Sequence, residues 1–134
     1  MSEAFGQLQQ ALYNHLKADA ELMALIRDVF DQPPQNEPYP YVTIGPFDST
    51  PVVNRSDSER MGVDTDIYTD GESWVLGQAI KNHMMRLLRH ARLETTDYVF
   101  YFRPEFFSQF YDTDGDVRQI NLRWLVFGMT PTCQ

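Results

Sequence analysis

The fold is decided by Pro38-Tyr39-Pro40-Tyr41-Val42-Thr43-Ile44-Gly45-Pro46-Phe47, a rigid segment punctuated by proline that runs into a compact apolar strand. Proline fixes φ and removes the backbone N–H donor, so the chain enters this segment extended. Residues 41–47 then alternate between two faces, which predicts a strand. Pro46 is expected to end its regular pairing or to place it at a sheet edge.

The polar stretch that follows, residues 48–59, shows no hydrophobic period and is predicted to be a loop. About a dozen residues without a pattern are uncommon inside a compact domain, and such loops are often functional. One hypothesis is that the loop becomes ordered against a partner. An ordinary solvated loop is the alternative. The candidate contact residues are Val52, Val53, Asn54 and Arg55.

Alternation also predicts a half-buried strand over residues 61–68, with one apolar and one acidic face. Asp64 and Asp66 lie on its acidic face. Two carboxylates on one strand face can serve catalysis, but a solvated pair is the commoner arrangement, and no neighbouring residue indicates a raised pKa.

Two principal helices are predicted. The first carries an apolar stripe through Phe5, Leu8, Leu12 and Leu16, and Asp19 is expected to cap a short helical turn after it. The second covers about residues 72–92, and its apolar arc is expected to face the sheet. That arc consists of Leu76, Ile80, Met84, Leu87 and Ala91, with Leu88 at its edge. Trp74 and Met85 fall on the opposite side, which makes them candidates for a second contact surface.

The C-terminal third is rich in aromatic residues and is predicted to be β-structure. Strands over residues 98–103 and 106–111 are expected to be broken at Pro104, and a turn at residues 112–115 leads into a strand over 117–129. The end of that strand is apolar on both sides, so it is expected to be central or covered by another subunit. Leu125 and Phe127 are its surplus apolar residues. Residues 130–134 are predicted to form a loose tail.

These patterns together predict the α+β class. One domain over residues 1–134 is expected, with a mainly antiparallel sheet packed against two principal helices. Net charge is −8, from 19 acidic and 11 basic residues, which repels phosphate backbones and argues against specific nucleic-acid binding. A single cysteine, Cys133, forms no intrachain disulfide, which fits cytosolic synthesis. No apolar run approaches the ~18 residues of a membrane span.

The search for catalytic, cofactor and metal sites gives no candidate. Residues 112–116 are similar to part of a calcium loop, but the glycine comes too early and no glutamate follows at the required place. His15, His83 and His90 have no metal-ligand spacing. We therefore expect neither an enzyme nor a metalloprotein.

The order of elements resembles the tail-completion family of long-tailed bacteriophages, also called tail terminator or tail-to-head joining proteins. The resemblance spans most of residues 8–128. It is carried by Ala11-Leu12-Tyr13 in a helix, by the segment Pro38 to Gly45, by the acidic-polar loop and the alternating strand, by a long helix led by Gly71 and ending in Leu87-Leu88, and by a final strand after a short turn.

This resemblance implies a structural virion protein that forms a ring, typically a hexamer, at the head-proximal end of the tail tube. Such a ring ends tube growth, binds the head connector and leaves a passage for the genome. Trp74, Met85, Leu125 and Phe127 are then candidate subunit contacts. Asp64 and Asp66 are candidates to line the passage.

Two alternatives stay open. A neighbouring head-closure or neck connector protein shares the size, acidity and α+β build, and it differs in co-purifying with heads that lack tails. A small cytosolic enzyme or ligand-binding domain is the other, and it requires a pocket of converging titratable groups.

Overall fold

The computed structural model describes residues 3–51, 58–71, 73–112 and 116–130. Three helices and six strands follow one another in these ranges. They are α1 (Glu3–Lys17), α2 (Ala20–Met23), β1 (Val29–Phe30), β2 (Tyr41–Pro51), β3 (Ser58–Asp70), α3 (Val75–Leu88), β4 (Arg92–Glu94), β5 (Val99–Asp112) and β6 (Val117–Met129). No described helix is long and apolar enough to cross a membrane.

The six strands form one sheet in the order β1-β2-β3-β6-β5-β4. The short β1 runs parallel to β2, and the other neighbours are antiparallel. β6 lies between β3 and β5, so the prediction of a central final strand is confirmed. The α+β prediction, with a mainly antiparallel sheet and two substantial helices, is confirmed as well.

One face of the sheet packs against the helices and forms the core. Strand alternation sends the predicted apolar residues of β3 and β6 to this face, where they are fully or almost fully buried. The stripe of α1 meets them through Leu8, Leu12 and Leu16, each with no exposed surface. Phe5, also predicted for this stripe, is partly buried and contacts Phe47 with ring centroids 5.8 Å apart.

Helix α3 is shorter than predicted and is rotated about its axis. Its buried residues are Gly77, Ile80, Met84 and Leu88, whereas Leu76 is 37% exposed. The expectation that Leu76 faces the sheet and Leu88 lies at the margin is therefore wrong. A Cβ on Gly77 would stand 3.0 Å from Ile120 Cδ1, so the missing side chain lets the start of the helix approach β6 closely. Arg92, the predicted end of this helix, is instead the first residue of the edge strand β4.

The prediction that Pro104 separates two strands is wrong, whereas Pro46 interrupts the regular pairing of β2 where that strand has an outer edge, as predicted. Pairing continues past Pro46 to Pro51, with a bulge between Ile44 and Phe47. It also continues past Pro104, with a bulge before Phe106, so β5 is one strand. Proline is tolerated at these positions because each strand is bulged there and has an outer edge.

Residues 48–51 and 58–59 of the predicted loop belong to strands instead, because β2 reaches Pro51 and β3 begins at Ser58. The candidate contact residues Val52, Val53, Asn54 and Arg55 lie outside the described residues, as do 131–134 of the predicted tail.

Asp19 caps α2 as predicted, accepting a hydrogen bond from the Leu22 N–H at 2.9 Å. This bond is the main cause that lowers the pKa of Asp19, and Arg86 adds to it. A lowered folded-state pKa contributes stability above the unfolded value of about 3.9, and that stability is lost as pH falls through the folded value. Asp19→Ala is expected to cost about 1 kcal/mol of unfolding free energy at pH 7, and progressively less below about pH 4.

Urea denaturation at pH 7 and pH 3 measures this effect. Glu21→Ala is the matched control, because Glu21 contacts the same Arg86 at 3.2 Å but is 72% exposed and does not cap the helix. Equal losses in the two variants at pH 7 would contradict the capping role.

Candidate functional site: the open face of the sheet

The sheet face turned away from the helices is not covered by any described helix, and we call it the open face. It is assigned by strand alternation and register. Its residues include Tyr41, Thr43, Asp48, Asp64, Asp66, Tyr68, Arg103, Phe106, Ser108, Phe110, Gln119, Asn121, Arg123, Leu125 and Phe127. The face is polar at its centre and aromatic towards its ends.

Asp64 and Asp66 lie at the centre of the open face and are hydrogen-bonded by amides of β6. Asn121 Nδ2 donates to Asp64 Oδ1 at 3.2 Å and to Asp66 Oδ1 at 2.8 Å. Gln119 Nε2 donates to the same Asp66 oxygen at 3.0 Å. Asp66 is only 8% exposed. The acidic strand face predicted from sequence therefore has fixed carboxylates, a consequence of the two amides that alternate along β6.

Arg123 joins three carboxylates from three different strands. Its guanidinium lies 2.7 Å from Asp48 Oδ2, 3.2 Å from Asp64 Oδ2 and 3.2 Å from Glu105 Oε1. The hydrogen bond with Asp48 is the main cause that raises the pKa of Arg123. Three carboxylates against one guanidinium leave this cluster with a surplus of negative charge.

Glycine is required beneath this cluster. A Cβ on Gly62 would overlap the Arg123 guanidinium and would come within 2.8 Å of Asp48 Oδ1. The absence of a side chain at Gly62 thus makes room for Arg123 to reach across β3 to β2. A shallow depression of about 260 Å³ lies over this point, lined in part by Gly62, Glu105 and Leu125.

One end of the open face is aromatic. Tyr39 stacks on Tyr41 with centroids 5.4 Å apart, and Tyr41 contacts Tyr68 at 5.2 Å. Burial is the main cause that raises the pKa of both Tyr41 and Tyr68. A depression of about 230 Å³ separates these rings from Phe110, which is 53% exposed. Phe106, also 53% exposed, lies nearer the Arg123 cluster.

The predicted interface residues fall into two groups. Leu125 and Phe127 lie on the open face, partly buried, beside Gly62 and Arg60 of β3. Trp74 and Met85, predicted to lie opposite the apolar arc of their helix, are partly buried and pack against the core. The reason at Trp74 is Arg118 of β6, whose guanidinium lies 5.0 Å from the indole ring. Whether any of the four residues contacts another subunit stays a prediction.

One further cluster of ionisable groups lies away from the open face, where α2 meets α3. Asp19, Glu21 and His83 have ligand atoms within 4.8 Å of one another. Arg86 donates to all three, at 3.0 Å to Asp19, 3.2 Å to Glu21 and 3.0 Å to His83. A guanidinium thus already supplies the positive charge there, and the cluster holds the two helices together.

Fold and site define a small α+β protein whose sheet has one helix-covered face and one open face with fixed carboxylates at its centre. The chain belongs to the family of tail completion protein gp17, whose model it matches over residues 10–126. It is therefore a structural protein of the phage virion tail.

Two similar proteins accompany this match. Tail completion protein gp17 of Bacillus phage SPP1 is 29% identical over 110 residues, which cover 81% of each chain. A chain in the solved structure titled "Virion of native gene transfer agent (GTA) particle" superposes with a TM-score of 0.85 at 24% identity, covering 96% of this chain and 99% of that one. The second likeness concerns the fold.

Proposed function

We propose that this protein forms a closed homo-oligomeric ring, a hexamer, at the head-proximal end of a phage tail. The ring ends growth of the tail tube and offers the surface to which the head connector binds. Its partners are copies of itself, the tail tube protein and the head-closure protein. DNA passes through the ring without being bound specifically. Membership of the tail completion family supports the position in the tail.

The open face is the single observation that supports the proposal of a ring with a passage for DNA. A closed ring has a lumen, and a surface that lets DNA pass needs to repel phosphate. Asp64 and Asp66 are fixed by amides, and the Arg123 cluster keeps surplus negative charge. We therefore place the open face towards the lumen and the helices outside. An assembled ring with Asp64 and Asp66 on its outer surface would disprove this orientation.

Native mass spectrometry and electron microscopy of the purified protein with tail tubes test the proposal. We expect one oligomer of defined mass, a cap at one end of each tube, and tubes that stop growing after capping. Unchanged tube growth with no defined oligomer would overturn the proposal. Binding to tailless heads but not to tubes would instead indicate a neck connector.

A further inference from the structure

We propose that neighbouring subunits join edge to edge, with β5 of one subunit pairing antiparallel with β2 of the next, displaced by four residues along the strands. This inference rests on the proposed ring and adds its joining surface. The partner is a second copy of this chain, because the two edges lie at opposite sides of one sheet and a head-to-tail contact closes by rotation.

Both edges are long and lack a strand partner among the described residues. β1 pairs only with Val42 and Thr43, which leaves residues 44–51 of β2 open on their outer side. β4 pairs with β5 from Val99 to Tyr101, and the Phe102 N–H donates to Ala91 O at 2.9 Å. Residues 103–110 of β5 are open beyond that point. Open edges of this length are templates for strand addition.

The outward hydrogen-bonding groups can be assigned from alternation. The Phe102 N–H faces away from β6, and outward-facing and inward-facing residues alternate along the strand. The bulge before Phe106 shifts this alternation by one residue. Phe107 and Gln109 therefore direct their backbone groups outward. On β2, the Val42 N–H faces outward towards β1, and the bulge before Phe47 likewise shifts the alternation of outward-facing residues by one. Phe47 and Ser49 consequently face outward on that edge.

Direction follows from the sheet order. β2 and β6 are each antiparallel to β3, and β5 is antiparallel to β6, so β5 runs opposite to β2. Rotation about a ring axis preserves the direction of each strand along that axis. The β5 edge of one subunit therefore meets the β2 edge of the next in antiparallel orientation.

The displacement follows from the two short strands. Register across the sheet puts Ile44, Thr65, Leu122 and Phe107 in one row. If two subunits met with these rows aligned, β1 and β4 would lie in the interface at its opposite ends. Ser49 is level with Met61, four β3 positions from Thr65. A shift of four pairs Ser49 with Phe107 and clears both short strands.

An even shift also keeps the two helix layers on the same side of the combined sheet. Each subunit contributes four long strands, so a displacement of four residues per subunit is about one residue per strand. This is the stagger of the tilted strands in closed barrels.

Cysteine cross-linking tests this register. The shift places Asp48 of one subunit opposite Ser108 of its neighbour, since Asp48 is level with Gly62, and Ser108 with Asp66, four positions away. These two residues would form a non-hydrogen-bonded antiparallel pair, and the Cα atoms of such a pair lie about 4.5 Å apart, within disulfide range. We expect Asp48→Cys/Ser108→Cys, in a Cys133→Ser background, to form a ladder of linked multimers on oxidation of tube-capped rings.

Thr43→Cys/Ser108→Cys is the matched control, because Thr43 is the β2 residue level with Ser108 when the edges are not shifted. It is expected to stay monomeric on a non-reducing gel. A ladder in the control, or none in the test pair although native mass spectrometry shows rings, overturns the edge pairing and leaves the ring intact. Wild-type protein that forms no ring on tubes refutes the proposed function, and this inference with it.

Discussion

Trp124→Ala is expected to lower the free energy of unfolding by about 3–5 kcal/mol. Trp124 is fully buried at the centre of β6, and its ring lies 6.0 Å from that of Phe107. Its indole Nε1–H donates to Thr65 Oγ1 at 3.0 Å, and the Thr65 hydroxyl donates to Leu122 O at 3.2 Å. The substitution leaves a cavity where the sheet meets the helices. Urea denaturation followed by circular dichroism measures the loss.

Trp124→Phe is the control, because it keeps an aromatic ring and most of the volume. Its expected cost is smaller, about 1–2 kcal/mol, since the Thr65 hydroxyl keeps its bond to Leu122. A loss below about 1 kcal/mol for Trp124→Ala would contradict this prediction, because it would show that the core closes around the gap.

Arg123→Met is expected to cost about 1–3 kcal/mol at pH 7 and low salt. The side chain is 22% exposed and its carboxylate partners are 17–62% exposed, so solvent moderates the effect below that of a fully buried pair. Removing the guanidinium leaves Asp48, Asp64 and Glu105 to repel one another. Added salt screens this repulsion, so the loss is expected to shrink towards 1 M NaCl. Urea denaturation at two salt concentrations measures both effects.

Arg103→Met, an exposed arginine of β5, removes the same charge on the same face outside the Arg123 cluster. It is expected to change stability by less than about 0.5 kcal/mol. Equal losses for the two arginines would mean that net charge, and not the cluster, determines the effect.

The alternating strands could be predicted from sequence because side chains alternate between the two sheet faces and only one of those faces is buried against helices. Residues 61–67 and 120–124 alternate as predicted, and their apolar members lie on the helix face. Periodicity failed for α3 because Gly77 has no side chain to count, yet a Cβ there would stand only 3.0 Å from Ile120 Cδ1 of β6. Proline at position 104 suggested a strand end, since sequence alone does not distinguish an end from a bulge at an edge.

The open face could be predicted only in part. Asp64 and Asp66 were identified from their alternation within one strand. Arg123 was missed because its partners Asp48 and Asp64 are 75 and 59 residues away, and only the register of β2, β3 and β6 brings them together. The contact of Arg118 with Trp74 was missed for the same reason, since Arg118 of β6 reaches the residue before α3 from 44 positions further along the chain.

The two bulges lie at the same height, because Phe47 pairs with Val63, Val63 with Trp124, and Trp124 with Pro104. Each edge strand thus carries a proline without a donor near the middle of its length. An unassembled subunit exposes two long sheet edges, and exposed edges of this kind can template amyloid-like aggregation. A foreign strand adding to either edge meets a kink and a missing N–H halfway along. We therefore expect these two prolines to disfavour strand addition along the full length of either edge, and so to limit aggregation of the unassembled protein.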